Sequence, residues 1–156
     1  MKNFLFFIFA LAFSISAHSI NDWKLENKKD PMSDKIESTA FLTSYTNKSI
    51  QLLITEYKEE VPSIYIKSNN LTLGCISECK IRVRIDKEDP IEVTAYQCTL
   101  CLRTMKLDGY LLYLIRNAKE VMIELPIYRL RTEIYKFKIE GFDQLGGKTR
   151  ADWKWN

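Results

Sequence analysis

Histidine is almost absent from this chain of 156 residues, which contains only His18. His18 lies in an amino-terminal segment with the features of a leader peptide, and no histidine follows it. Without histidine a protein cannot build Ser-His-Asp or Cys-His nucleophile pairs, histidine general bases or histidine metal ligands. Most hydrolase classes depend on these groups. No other catalytic motif is present, and we predict that the protein is not an enzyme.

An apolar run long enough to span a bilayer is also missing. The apolar run from Phe4 to Phe13 is too short for a transmembrane helix, so we predict that the protein is not an integral membrane protein. Lys2 precedes this run, and a small-residue cleavage site, Ala17-His18-Ser19, follows it. We therefore expect residues 1–19 to be a cleaved signal peptide, with an uncleaved anchor as the alternative. Residues 20–156 would then form a single β-rich domain that is periplasmic or secreted.

The chain lacks a strong excess of charge of either sign. It has 23 Lys and Arg residues against 20 Asp and Glu residues, a net charge of +3, and the two signs are interspersed. A protein that binds nucleic acid through its phosphates concentrates basic residues instead. We therefore predict no nucleic-acid partner.

The four cysteines are the candidate covalent sites: Cys75, Cys79, Cys98 and Cys101. In an exported protein an even number of cysteines indicates disulfides. One arrangement pairs Cys75 with Cys79 and Cys98 with Cys101. The other pairs Cys79 with Cys98 and Cys75 with Cys101, across a hairpin centred on Lys87–Pro90. Zinc binding is a weaker alternative, because an oxidising compartment removes free thiolates. A redox-active Cys98–Cys101 pair is also weaker, because such a motif should open a helix after a strand and no helix-starting pattern follows it directly. We predict disulfides, no metal and no cofactor.

Alternation of apolar and polar residues predicts a mainly β protein. Ile81, Val83 and Ile85 alternate with basic residues, as in a strand with one buried and one solvated face, and the turn Lys87–Pro90 follows. Similar patterns predict strands at 22–26, 35–46, 50–57, 61–66, 120–125 and 133–139, with a turn at 27–34.

One segment has helical periodicity. Asp108 is a candidate N-cap for a helix over residues 109–119. The apolar residues of one face of this helix are Leu111, Leu114, Ile115 and Ala118. We therefore predict an antiparallel β-sandwich or strongly curved sheet with one packed helix near 108–119.

Two groups of residues are candidates for partner binding. Lys80, Arg82 and Arg84 form a basic strand face that could meet an acidic protein, an anionic surface or an envelope glycan. The alternative for this face is a solvated surface that protects an edge strand. The second group is Lys87, Glu88 and Asp89, which form a turn that an inhibitor could insert into an enzyme.

Several short motifs resemble two families of small exported bacterial proteins. Trp23 followed by Asp30-Pro31-Met32-Ser33-Asp34-Lys35, with Leu71-Thr-Leu-Gly-Cys75 and Lys136-Phe-Lys-Ile-Glu-Gly-Phe142, resembles the type VI secretion-associated VasI family. The paired cysteines Cys98 and Cys101, the helix start Leu107-Asp108 and the turn Gly141-Phe142 are similar to the invasion-associated locus B family. Both resemblances imply an exported, β-rich, non-catalytic protein that acts through partners. Neither supplies an active site.

These features together predict an exported, non-catalytic binding or accessory protein of the bacterial envelope, of the secretion-associated or invasion-associated type. The alternative is a periplasmic inhibitor or immunity protein against a cell-wall-cleaving or toxin enzyme. In both cases we expect a protein partner, with an envelope glycan or anionic surface as a further candidate.

Overall fold

Ten strands form one antiparallel sheet, and one short helix packs against it, in the part of the chain that the structure describes. A computed structural model describes residues 19–20, 22–29, 32, 36–57, 61–97, 100–129 and 131–142. The elements are β1 (Ser19–Ile20), β2 (Trp23–Lys29), β3 (Ile36–Thr43), β4 (Ile50–Tyr57), β5 (Ser63–Ser68), β6 (Ser77–Ile85), β7 (Ile91–Gln97), β8 (Thr104–Leu107), α1 (Tyr110–Ile115), β9 (Glu120–Leu125) and β10 (Glu133–Lys138).

The sheet is strongly curved. Its strand order is β1-β2-β3-β4-β5-β8-β7-β6-β9-β10, so β2 and β10 lie near opposite ends. Even so, the backbone N–H of Tyr45, just after β3, donates to the carbonyl oxygen of Lys136 in β10 at 3.1 Å. The indole N–H of Trp23 in β2 also donates to the carbonyl oxygen of Ile139, at 3.4 Å. These contacts bring the two ends of the sheet together and confirm the predicted mainly β fold with a curved sheet.

The hydrophobic core covers the inner face of this sheet. Ile81 and Val83 of β6 are buried, as the alternation predicts, and Ile85 is half-buried. Tyr135 and Phe137 of β10 are at most 1% exposed. Burying each large apolar side chain contributes roughly 1.5–3 kcal/mol. Strand alternation therefore predicts the core-facing residues of these strands correctly.

Predicted and observed strand boundaries agree best where a strand stands between clear turns. β4 (Ile50–Tyr57) and β9 (Glu120–Leu125) have the predicted bounds. β2 extends into the predicted turn at 27–34, because Lys29 pairs with Ile36 of β3. The predicted leader, residues 1–18, lies outside the described residues. No helix in the described ranges has the length and apolar character needed to cross a bilayer.

The β6–β7 hairpin differs from the predicted hairpin in its register. Cys79 is paired with Ala95, and not with Cys98. The last pair between the two strands is Val83 with Ile91, and Arg84 and Ile85 continue β6 against β9 alone. Asp86 then adopts a left-handed conformation with φ of 50°, so the connection that contains Lys87–Pro90 is longer than the predicted four-residue turn. The turn therefore closes at a different point, and every pairing in the hairpin shifts.

The disulfide that the structure describes is consistent with this register. Cys75 and Cys79 are bonded to each other, with their Cα atoms 5.7 Å apart. The alternative pairs Cys79–Cys98 and Cys75–Cys101 are therefore wrong. Cys101 is also disulfide-bonded, and Cys98 lies outside the described residues.

Helix α1 is shorter than the predicted helix over residues 109–119. Gly109 is its N-cap, and a carboxylate oxygen of Asp108 accepts the backbone N–H of Tyr110 at 2.9 Å. The helix ends at Ile115. The chain then turns into β9, where the backbone N–H groups of Lys119 and Glu120 bind the carboxylate of Asp86.

Tyr135 should make stability depend on pH above about 10. Its buried hydroxyl donates to the carboxylate of Glu133 at 2.8 Å. Burial first, and then this hydrogen bond and the charge of Glu133, raise the pKa of Tyr135. Because the folded-state pKa lies above the unfolded value, the associated stability is complete below the unfolded pKa and is lost as the pH rises through the folded pKa.

We expect the free energy of unfolding to fall less steeply with alkaline pH in Tyr135→Phe than in the parent protein. Urea denaturation between about pH 9 and pH 11.5 measures this slope. Tyr128→Phe, at an exposed tyrosine, is the matched control and should keep the parent slope. Equal slopes in all three proteins would contradict the prediction.

Candidate functional site

An open cleft lies between the end of the β6–β7 hairpin and helix α1. Its volume is about 460 Å³, within the range of small-ligand pockets. Its apolar lining comes from inner-face strand residues and from the helix. These apolar residues are Ile85, Ile91, Val93, Leu111 and Leu114.

Four carboxylates line the same cleft. Glu88 and Asp89 come from the turn, Glu92 from β7, and Asp108 from the segment before α1. The lining residues include neither lysine nor arginine. The side chains of Glu88, Asp89 and Glu92 make no hydrogen bond or ion pair with any other residue that the structure describes. The cleft is therefore locally acidic in a chain of net charge +3.

One tyrosine of α1 lines the cleft, and a second tyrosine stacks on it. Tyr110, which lines the cleft, and Tyr113 stack with ring centroids 6.1 Å apart and an interplanar angle of 21°. They are three residues apart on the helix and so share a face. Their side chains are 64% and 58% exposed. The cleft thus combines an apolar floor, free carboxylates and exposed aromatic rings.

Hydrogen bonds anchor both walls of the cleft. The carboxylate of Asp86 accepts the backbone N–H groups of Lys119 at 2.9 Å and Glu120 at 2.8 Å, which ties the turn to the start of β9. On the other wall, the backbone N–H of Asp108 donates to the carbonyl oxygen of Thr94 at 2.9 Å. This bond connects the entry of α1 to β7. The site is therefore largely preformed.

The basic strand face lies on the outer side of β6, next to the cleft: Thr94 and Glu92, which line the cleft, are the β7 partners of Lys80 and Arg82. The guanidinium of Arg82 forms an ion pair with Glu124, with an Nη2–Oε2 distance of 2.5 Å. Lys80 donates to the hydroxyl of Thr94 at 2.5 Å, and Arg84 donates to the carbonyl of Lys87 at 3.5 Å. This strand face therefore carries both positive and negative side chains, which is typical of a solvated face. Binding of an anionic partner there stays a prediction.

The structure therefore separates the residues that the sequence grouped. Glu88 and Asp89 lie together in the cleft, whereas Lys87 is exposed and does not line it. Sequence reasoning missed Glu92 and Tyr110 as site residues. It identified Asp108 as a helix cap, and no local pattern places that residue beside the turn.

The described residues offer no metal-binding cluster beside the cleft. Within the described residues, no three histidine, cysteine or acidic side chains are grouped so that they could hold a metal ion. Cys75 and Cys79 are bonded to each other, so neither sulfur is a thiolate. What the cleft does present is hydrogen-bond acceptors above an apolar floor.

Comparison with known proteins assigns no family. No family model, no curated protein and no solved structure matches this chain. The resemblance to the VasI and invasion-associated locus B families stays a prediction, based on the motifs quoted above.

Proposed function

We propose that this protein is an exported, non-catalytic accessory protein of the bacterial envelope that binds a partner protein through the cleft between the β6–β7 turn and α1. The observation that carries this proposal is the preformed cleft of about 460 Å³, with its apolar floor and free carboxylates. The predicted signal peptide supports export. The Cys75–Cys79 disulfide is in keeping with an oxidising compartment.

The surroundings of the cleft favour a protein partner. Protein interfaces are enriched in tyrosine, and exposed aromatic residues often carry most of the binding energy. Tyr110 and Tyr113 present such a surface beside the cleft. The cleft is also open on one side, so an extended segment of another chain can enter it without a change in the fold.

The inhibitor or immunity function is the second candidate, and one observation favours it. The turn Lys87–Pro90 is exposed throughout and is anchored at its base by Asp86. A preorganised loop binds with a smaller entropy loss than a flexible one. In this case the partner would contact the tip of the turn at Lys87, and not the floor of the cleft at Leu114.

Site-specific photo-crosslinking in the bacterium that encodes the protein tests both functions. A photoreactive residue would be placed at Leu114 in the cleft, at Lys87 on the turn, or at Lys67 on the outer face of β5 as the control. We expect a single protein adduct from position 114 and none from position 67. An adduct from position 87 without one from 114 would favour the inhibitor function. No adduct at 114 or 87, or the same adducts at all three positions, would contradict the proposal.

A further inference from the structure

We infer that the cleft binds a cationic amphipathic segment, in which a lysine or arginine side chain is flanked by apolar residues of the partner protein. This inference rests on the proposed function and adds the chemical class of the ligand. It depends on three properties of the cleft: its charge, its apolar floor and its aromatic rim.

The negative charge of the cleft favours a cationic ligand. Arg82 is paired with Glu92 across β6 and β7 in the strand register, but its guanidinium binds Glu124 of β9 instead. Glu92 therefore keeps a free carboxylate, as do Glu88 and Asp89. Free carboxylates attract a cation, whereas they repel an anionic ligand.

The apolar floor favours a ligand that carries hydrocarbon groups as well as a positive charge. Ile85, Val93 and Leu111 offer hydrocarbon surface below the carboxylates. Lysine and arginine bury their aliphatic stems along such surfaces and keep the charged head at a polar rim. A purely apolar ligand would instead remove water from the carboxylates without replacing its hydrogen bonds, which is costly.

The tyrosine rim adds a third contact. Cations are attracted to the faces of aromatic rings at about 6 Å or less from the ring centre. The protein already makes this contact twice on its own surface: Lys138 Nζ lies 5.7 Å from the ring centroid of Tyr45, and the guanidinium carbon of Arg129 lies 5.3 Å from that of Tyr128. Tyr110, at the cleft, is exposed and free to receive a cation from another molecule.

Titration of the purified protein with two synthetic peptides tests the inference. The probe is acetyl-Leu-Lys-Leu-Lys-Leu-amide, and its matched control is acetyl-Leu-Glu-Leu-Glu-Leu-amide. Isothermal titration calorimetry measures the affinity of the protein for each peptide. We expect the lysine peptide to bind and the glutamate peptide not to bind. The affinity for the lysine peptide should fall as salt rises from about 0.05 M to about 0.5 M, because exposed charges are screened.

Variants that neutralise carboxylates of the cleft provide a second test of the inference. The double variant E88Q/D89N should bind the lysine peptide about tenfold more weakly, since two exposed charge pairs are lost. The double variant E26Q/E78Q changes the same charge at exposed positions outside the cleft and should keep the parent affinity. Equal binding of both peptides, or unchanged affinity in E88Q/D89N, would overturn the inference.

Two further outcomes separate this inference from the proposed function. If the lysine peptide fails to bind while the adduct at position 114 persists, the docking role stands and the ligand class is wrong. If the adduct is also absent, the proposed function is wrong as well. Sedimentation equilibrium that shows a dimer disrupted by E88Q/D89N would identify a second copy of this chain as the occupant, which also overturns the inference.

Discussion

Trp23→Ala is expected to lower the free energy of unfolding by about 3–5 kcal/mol, the range for removing a fully buried aromatic side chain. Trp23 is 0% exposed. Its ring packs on that of Phe142, with centroids 5.6 Å apart, and its indole N–H donates to the carbonyl oxygen of Ile139. Because β2 and the segment after β10 come from opposite ends of the sheet, this one side chain helps to hold the curvature. Its loss would leave a cavity and an unsatisfied backbone carbonyl.

Equilibrium urea denaturation measures this loss, and two variants make the result specific. Trp23→Phe keeps an aromatic ring beside Phe142 and should be less destabilising than Trp23→Ala. Tyr128→Ala, at a side chain that is 54% exposed, should change the free energy of unfolding by about 0.5 kcal/mol or less. A loss below about 1 kcal/mol in Trp23→Ala would show that the ends of the sheet are held by other contacts.

Asp86→Ala is expected to have the second largest effect, a loss of about 2–4 kcal/mol. Its carboxylate accepts two backbone hydrogen bonds, from Lys119 and Glu120, and its own backbone N–H donates to the carbonyl oxygen of Glu120 at 2.9 Å. Hydrogen bonds to a charged group are stronger than neutral ones. Alanine would lose the oxygen that accepts both bonds, and it is strained at the φ of 50° that this position requires.

Asp86→Asn is the matched control, because asparagine keeps an acceptor oxygen and tolerates the left-handed conformation. It should retain most of the stability. Hydrogen exchange gives a local readout: the amides of Lys119 and Glu120 should exchange faster in Asp86→Ala than in Asp86→Asn. The lysine peptide should also bind Asp86→Ala more weakly, since the turn that carries Glu88 and Asp89 is no longer anchored. Unchanged exchange at both amides would contradict this role of Asp86.

The strands could be predicted because their signal is local. Side chains alternate between the two faces of a strand, so apolar residues at every second position identify the inner face without knowledge of the neighbouring strands. Tyr135 and Phe137 stand at alternate positions of β10, and both are buried. The helix was found from its own periodicity, although its bounds were set by the contacts of the chain that follows Ile115.

Pairing between strands was harder to predict, because register depends on residues that are far apart in sequence. The observed β6–β7 register pairs Cys79 with Ala95, which is incompatible with a Cys79–Cys98 bond across the hairpin. Gly74 is a similar case. A Cβ atom there would lie 3.3 Å from backbone atoms of Ile127 and Tyr128, a close approach between loops that no local pattern indicates.

The sequence by itself determined a histidine-poor, mainly β chain with an even number of cysteines, a predicted leader and one helix, because each of these is a property of composition or of short-range periodicity. Only the tertiary structure decided which cysteines bond and which charged residues come together. Glu88 lies in the turn, Glu92 in β7 and Asp108 before α1, and the folded path of the chain brings them to one cleft. The same path pairs Arg82 with Glu124. The acidic residues of the cleft are therefore available for a partner because of the strand register, which local sequence patterns do not reveal.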